Sequence, residues 1–197
     1  MLGLQLSTFG VYAATENTDS SLQSLPDKHL LFFQNISQHC GKAFLGKVAI
    51  DTENSDTLRD KPIVLHVRKC SSSQLQIPLH IGDDSSRTLL ISKTTKGLQL
   101  QHDHRYPDGK SHTASMYGGH TSTIGEPTLQ SFPADEFSKT LFLQTDMKNS
   151  VNNVWQIGIT NEKLSYRLTR PTREVVIEFD LANLHPTPDA SWGYSED

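Results

Sequence analysis

Residues 74–81 read Gln74-Leu75-Gln76-Ile77-Pro78-Leu79-His80-Ile81, with apolar side chains on one parity and polar groups or proline on the other. An extended chain points successive side chains to opposite faces, so the pattern predicts a strand with one apolar face. Val175, Ile177, Phe179 and Leu181 repeat it near the C-terminus. The same period predicts about ten strands after Gly41: 43–51, 62–70, 74–82, 88–94, 98–106, 113–118, 127–132, 153–160, 164–170 and 174–181. Turn sequences such as Gly82-Asp83-Asp84, Lys96-Gly97, Pro107-Asp108-Gly109 and Asn161-Glu162-Lys163 separate them. Pro78 has no N–H to donate, which puts its strand at an edge, at a bulge, or with that position turned away from the ladder.

Helical spacing occurs twice. Over 27–40, Leu30, Phe33 and Ile36 or Ser37 recur at helical intervals; Asp27 favours the positive end and Gly41 supplies the stop. A second, short helix is expected over 134–141, packing through Phe137 and Leu141 with Asp135 and Glu136 in its first turn. Many short strands, tight turns and few helices define a mainly β fold. The expectation is an antiparallel up-and-down β-barrel, calycin-like, with an N-terminal helix and one short helix; a β-sandwich is the alternative. Sequential short connections favour the barrel, and closure removes exposed sheet edges.

The first residues change the picture of compartment. Leu2, Leu4, Leu6, Phe9, Val11 and Tyr12 are apolar, and Ala13-Ala14 offers the small residues of a signal-peptidase site. Residues 1–24 therefore read as a signal-peptide remnant with a flexible leader, and 25–197 as a single β domain that is periplasmic or secreted. Cys40 and Cys70 are expected to form a disulfide there. The net charge is −4, with 18 Lys and Arg spread along the chain. No basic stripe invites nucleic acid. No apolar run reaches the ~18 residues of a membrane-spanning helix. Oligomeric state is not legible.

Candidate chemistry centres on His102-Asp103-His104. On a strand, His102 and His104 share a face with Leu98 and Leu100, with rings able to reach one divalent ion. A metal site would draw its third ligand from elsewhere: His120 first, with His112, His66 and Asp108 as further candidates. Arg68 shares a face with His66, opposite Ile63, Leu65 and Val67, and is either a solvated charge or a cation for a ligand. Tyr166, Arg167 and Arg170 pose the same choice. Tyr117-Gly118-Gly119 is a flexible break, and Trp155, alternating with Ile157 and Ile159, reads as core. The residues expected to hold a ligand are thus His102, His104, Arg68, Arg170 and Tyr117. No catalytic residue is identified: nucleophile-elbow, phosphate-loop, dinucleotide and zincin-helix motifs are all absent.

The His-x-His spacing with a carboxylate at Asp108 resembles the first cupin motif, which implies a bound metal. Tyr166 and Arg170 are similar in position to the inward Tyr and Arg that hold carboxylates in fatty-acid-binding barrels. His66-Val67-Arg68-Lys69-Cys70, His102-Asp103-His104-Arg105 with Asp108-Gly109, Tyr117-Gly118-Gly119 and Phe132-Pro133-Ala134-Asp135 together resemble a group of secreted proteins of Gram-negative bacteria, over roughly residues 33–192. That resemblance implies export to the bacterial envelope and names no site. Three readings follow: an exported barrel binding a small, partly apolar ligand, a metal-dependent enzyme using the His-x-His strand with a divalent metal as cofactor, and an envelope structural or interaction protein.

Overall fold

The computed structural model describes residues 25–195, so the expected leader lies outside the described residues. The strands are β1 (Ala43–Asp51), β2 (Ile63–His66), β3 (Lys69–Cys70), β4 (Gln74–Ile81), β5 (Asp84–Thr94), β6 (Gly97–His104), β7 (Tyr117–His120), β8 (Leu129–Pro133), β9 (Val154–Ile159), β10 (Lys163–Arg170) and β11 (Arg173–His185). Helix α1 (Asp27–Ser37) precedes them, and α2 (Glu136–Gln144) links β8 to β9. All ladders are antiparallel, in the order β7-β6-β5-β4-β2-β1-β11-β10-β9-β8, with β3 on β4. Apart from the closing β1–β11 pair and the step from β2 to β4 past two-residue β3, neighbours in the sheet are neighbours in sequence. The chain is an up-and-down barrel, nearly closed.

The remaining seam lies between β7 and β8, where side chain replaces ladder. The Gly118 amide donates to Ser138 Oγ at 2.7 Å, and that hydroxyl donates back to the Gly118 carbonyl at 2.9 Å. The Asp135 amide donates to the same carbonyl at 2.9 Å. Gly119 lets the two strands approach, because a Cβ there would collide with the Pro133 carbonyl oxygen. Ser138 is fully buried.

The antiparallel directions give the barrel two distinct ends. At one, α1 inserts Phe32, Phe33 and Ile36, all buried in the core with Phe44, Leu98 and Ile159. Lys28 pairs with Glu126 at 2.8 Å, and the Lys93 ammonium lies 4.4 Å from the Phe33 ring centre. The Cys40–Cys70 disulfide is present and ties the segment after α1 to β3 across a separation of 30 residues. α2 and the 3-10 turn Lys148–Ser150 lie at the opposite end, where Met147 and Val151 pack on the core.

Several local expectations are revised. The strand expected over 62–70 breaks at Val67, where backbone pairing passes from β1 to β4: the Val67 amide donates to Lys42 and the Arg68 amide to Gln76. Pro78 falls in the resulting gap, because β4 pairs with β2 only as far as Leu79 and with β3 from Gln76, so its missing donor breaks no ladder. β7 starts four residues later than the 113–118 strand, because Met116 takes a positive φ of 61° and ends the loop before it. In α2 the buried pair is Ser138 and Phe142, not Phe137 and Leu141; Phe137 is 57% exposed. Asp135 caps the helix by accepting from the Ser138 amide at 2.8 Å, and the Ser138 hook on Gly118 fixes which face turns inward.

Candidate functional site

The inner wall of the α2 half carries a cluster of polar and aromatic groups where the α1 half is mainly aliphatic and phenyl, with Gln130 and His29 its buried polar side chains. His102 on β6 stands opposite Leu89 and Tyr117, and its imidazole is buried. It stacks on Tyr117 with ring centres 4.8 Å apart and touches Trp155 at 4.9 Å and Tyr166 at 6.1 Å. Its Nδ1 lies 3.1 Å from the Tyr117 carbonyl, and its Nε2 lies 3.1 Å from the Tyr166 hydroxyl. A carbonyl can only accept, so Nδ1 carries the proton and Nε2 accepts from Tyr166. Burial is the main reason that the His102 pKa falls to about 4, with Arg87 and His104 adding repulsion. Burial also raises both the Tyr117 and the Tyr166 phenol above their ordinary value. At neutral pH the cluster is therefore an uncharged, hydrogen-bonded aromatic box.

Two strand positions further out, Arg87 on β5 stands between Leu79 and His104, on the face that Leu79 buries in the core. It donates to Asp84 at 2.5 Å. The His104 imidazole reaches Ser86 Oγ at 2.8 Å and packs on His112 with ring centres 4.8 Å apart. Burial, then Arg87 and His112, lower its pKa. Beside His112 a cleft of about 380 Å³ opens between residues 112–114 and 144–147; Met147, on its wall, packs against the core.

Arg170 reaches this same end of the barrel, on the inner face of β10 beyond Tyr166 and Leu168. It pairs with Glu53 at 3.1 Å and touches Ser150, while Arg173 opposite pairs with Glu53 at 2.5 Å and Asp51 at 3.5 Å. The Nε–H groups of both arginines are buried without a hydrogen-bond partner among the described residues. Of the five residues expected to hold a ligand, His102, His104 and Tyr117 come together, and Arg170 lies at the rim above them.

Arg68 does not join them. Strand alternation turns it outward from Val67, and its guanidinium meets the C-terminal segment at the Ser195 carbonyl and 6.0 Å from the Tyr194 ring centre. That segment crosses the outer face of β4–β6: the Trp192 amide donates to Ser85, and Tyr194 donates to the buried Asp103 carboxylate at 2.6 Å. The histidine trio considered for a metal is not assembled either. His120 pairs with Gln99, and parity sends both to the face opposite His102. Both His102 nitrogens are already engaged. Among the described residues, no group of three His, Cys, Asp or Glu could hold a metal ion.

Sequence reasoning missed Arg87 because it started the strand at Thr88. Parity alone carried the signal, since Arg87 continues the inward series Leu89 and Ile91. The inward place of Tyr166 has its clue in the shared parity with Leu164 and Leu168.

The fold and this inner wall define a class: an up-and-down barrel with one end plugged by a helix and the other half lined by an uncharged His–Tyr–Trp box beneath arginines. No family model, no curated protein and no solved structure matches the chain.

Proposed function

We propose that the chain is an exported binding module whose barrel holds a small, partly apolar ligand in the half beneath α2. The observation that carries this reading is a contrast along the inner wall. In the α1 half Phe32, Phe33, Ile36, Phe44 and Phe179 fill the interior and only Leu181 at its margin keeps accessible surface, whereas beneath α2 Val48, Tyr117, Tyr166 and Leu168 all point inward and yet keep it. Side chains walled in by a barrel but still in contact with solvent line a site, and a few fixed polar groups among aromatic surfaces are what small-molecule sites offer. One point supports export: the disulfide suits an oxidising compartment. His102, with a pKa of about 4 and both nitrogens engaged, is a poor general base at neutral pH, which favours binding over catalysis.

The test uses Trp155 as a donor fluorophore in a Trp192→Phe background. N-phenyl-1-naphthylamine and its sulfonated relative 8-anilinonaphthalene-1-sulfonate are titrated into folded protein. Saturable energy transfer from Trp155 at one equivalent of either dye is the expected result. Absence of transfer for both overturns the reading.

A further inference from the structure

Resting on the binding reading above, we infer that the ligand carries one anionic group on an aromatic or otherwise apolar body, the anion held at Arg87 and the body against Tyr117 and Tyr166. Arg87 and Asp84 form an ion pair with a definite orientation. Arg87 sits on the inward parity of β5, one step along from the Leu89–His102 pair. Its carboxylate partner Asp84 begins the strand, nearer the rim, and is the more exposed of the two, at 37% against 24%. The pair is therefore a dipole with its cation turned toward the aromatic box.

The other charges at that end do not reverse this field. Arg170 and Arg173 are matched by Glu53 and Asp51. His104 is held neutral by burial. Within the box, His102, Tyr117 and Tyr166 all sense Arg87, and none of them senses a carboxylate. A guanidinium has five N–H donors, and among the described residues that of Arg87 makes one hydrogen bond, through Nη1 to Asp84. A carboxylate or sulfonate entering beside it gains charge-assisted bonds without breaking the Asp84 pair. A cationic ligand would meet the same guanidinium at close range. The rings of the box pack on one another, with His102 and Trp155 buried, so the accessible parts of Tyr117 and Tyr166 give the body its complement.

The two dyes share one aromatic skeleton and differ by a sulfonate. The wild-type barrel should bind the anionic dye at least about tenfold more tightly than the neutral one. Arg87→Gln should lower affinity for the anionic dye by about tenfold and leave the neutral dye within about twofold. Asp84→Asn, which removes the opposing carboxylate, should raise affinity for the anionic dye severalfold over the neutral one. Equal affinities in the wild type, or an equal loss of both dyes in Arg87→Gln, overturn the anion inference while saturable transfer keeps the binding reading intact. If Arg87→Gln does not fold, Asp84→Asn decides: no gain in preference for the anionic dye overturns the inference. Loss of transfer with both dyes in the wild type removes the binding reading itself.

Discussion

Acid should reach the core through His102. In an unfolded chain this imidazole titrates near 6.5, and in the barrel its pKa is pushed down to about 4, chiefly by burial. The sign follows from proton counting. Between those values the unfolded chain binds a proton that the folded barrel refuses, so the contribution to stability is fully present above the unfolded value and is lost as pH falls toward the folded one. At 1.36 kcal/mol per pH unit, the gap from 6.5 to about 4 amounts to about 3 kcal/mol. His39, His66, His80, His104 and His120 are also shifted downward, so the whole protein loses more than His102 alone accounts for. A difference against His102→Gln isolates its share. Urea unfolding followed by tryptophan fluorescence, from about pH 7 to about pH 4 with the disulfide intact, gives both stability curves. The variant should start less stable, having lost the fit between the Tyr117 carbonyl and the Tyr166 hydroxyl, and the gap should narrow by about 3 kcal/mol across the range. Parallel curves would refute the assignment of a buried, neutral, Nδ1-protonated imidazole.

Three further outcomes are expected. Replacing Cys40 and Cys70 with Ala opens a closure of 30 residues in sequence and should lower unfolding stability by about 3–4 kcal/mol in denaturant titrations; a loss under about 1 kcal/mol would show that α1 is held by packing alone. Tyr194→Phe removes the hydroxyl that donates to buried Asp103 and should cost about 1.5–3 kcal/mol by the same titration, with Arg105 and Ser115 left to satisfy the carboxylate. Gly119→Ala should force the β7–β8 seam apart, speeding hydrogen exchange of the β7 and β8 amides ahead of the β1–β11 amides; uniform acceleration across the sheet would mean that the seam is not a separate unit.

Strand parity made most of the barrel wall legible, because a side chain's face depends only on counting by two along a strand. β1 and β4 match their expected spans to within a residue, and the inward sets Leu75/Ile77/Leu79/Ile81 and Val175/Ile177/Phe179 are all core. The same counting placed Arg68 opposite Val67 correctly but left its meaning open, since nothing local tells whether an outward cation is bare or covered by residues some 125 positions away. The C-terminal segment is such a cover, and its contact with Asp103 depends on three-dimensional return of the chain. Counting failed where a strand's start was misjudged, at Arg87, and where a helix phase was set by a tertiary hook, at Ser138. The histidine trio illustrates a different limit: His102 and His104 do share a face, but the Tyr117 carbonyl and Tyr166 hydroxyl, contributed by β7 and β10, engage His102, and His120 lies on the opposite face.

The division of the barrel into two halves follows from what fills each end. The α1 plug and the Cys40–Cys70 bridge concentrate apolar burial and a covalent tie toward the α1 end, while the β1–β11 ladder closes the sheet from Ala43 to Asp51. A space already filled by Phe32, Phe33, Ile36, Phe44 and Phe179 cannot admit a ligand without forfeiting that burial. At the α2 end the sheet is joined across β7–β8 by hydrogen bonds to Gly118 and by the packing of Ser138 and Phe142, with no ladder between the strands. Tyr117 immediately precedes Gly118 and forms one wall of the aromatic box. The weakest joint of the barrel and its chemically richest surface are therefore adjacent residues of one short strand, so a rearrangement that admits a ligand there disturbs a few side-chain bonds and leaves the ladders standing.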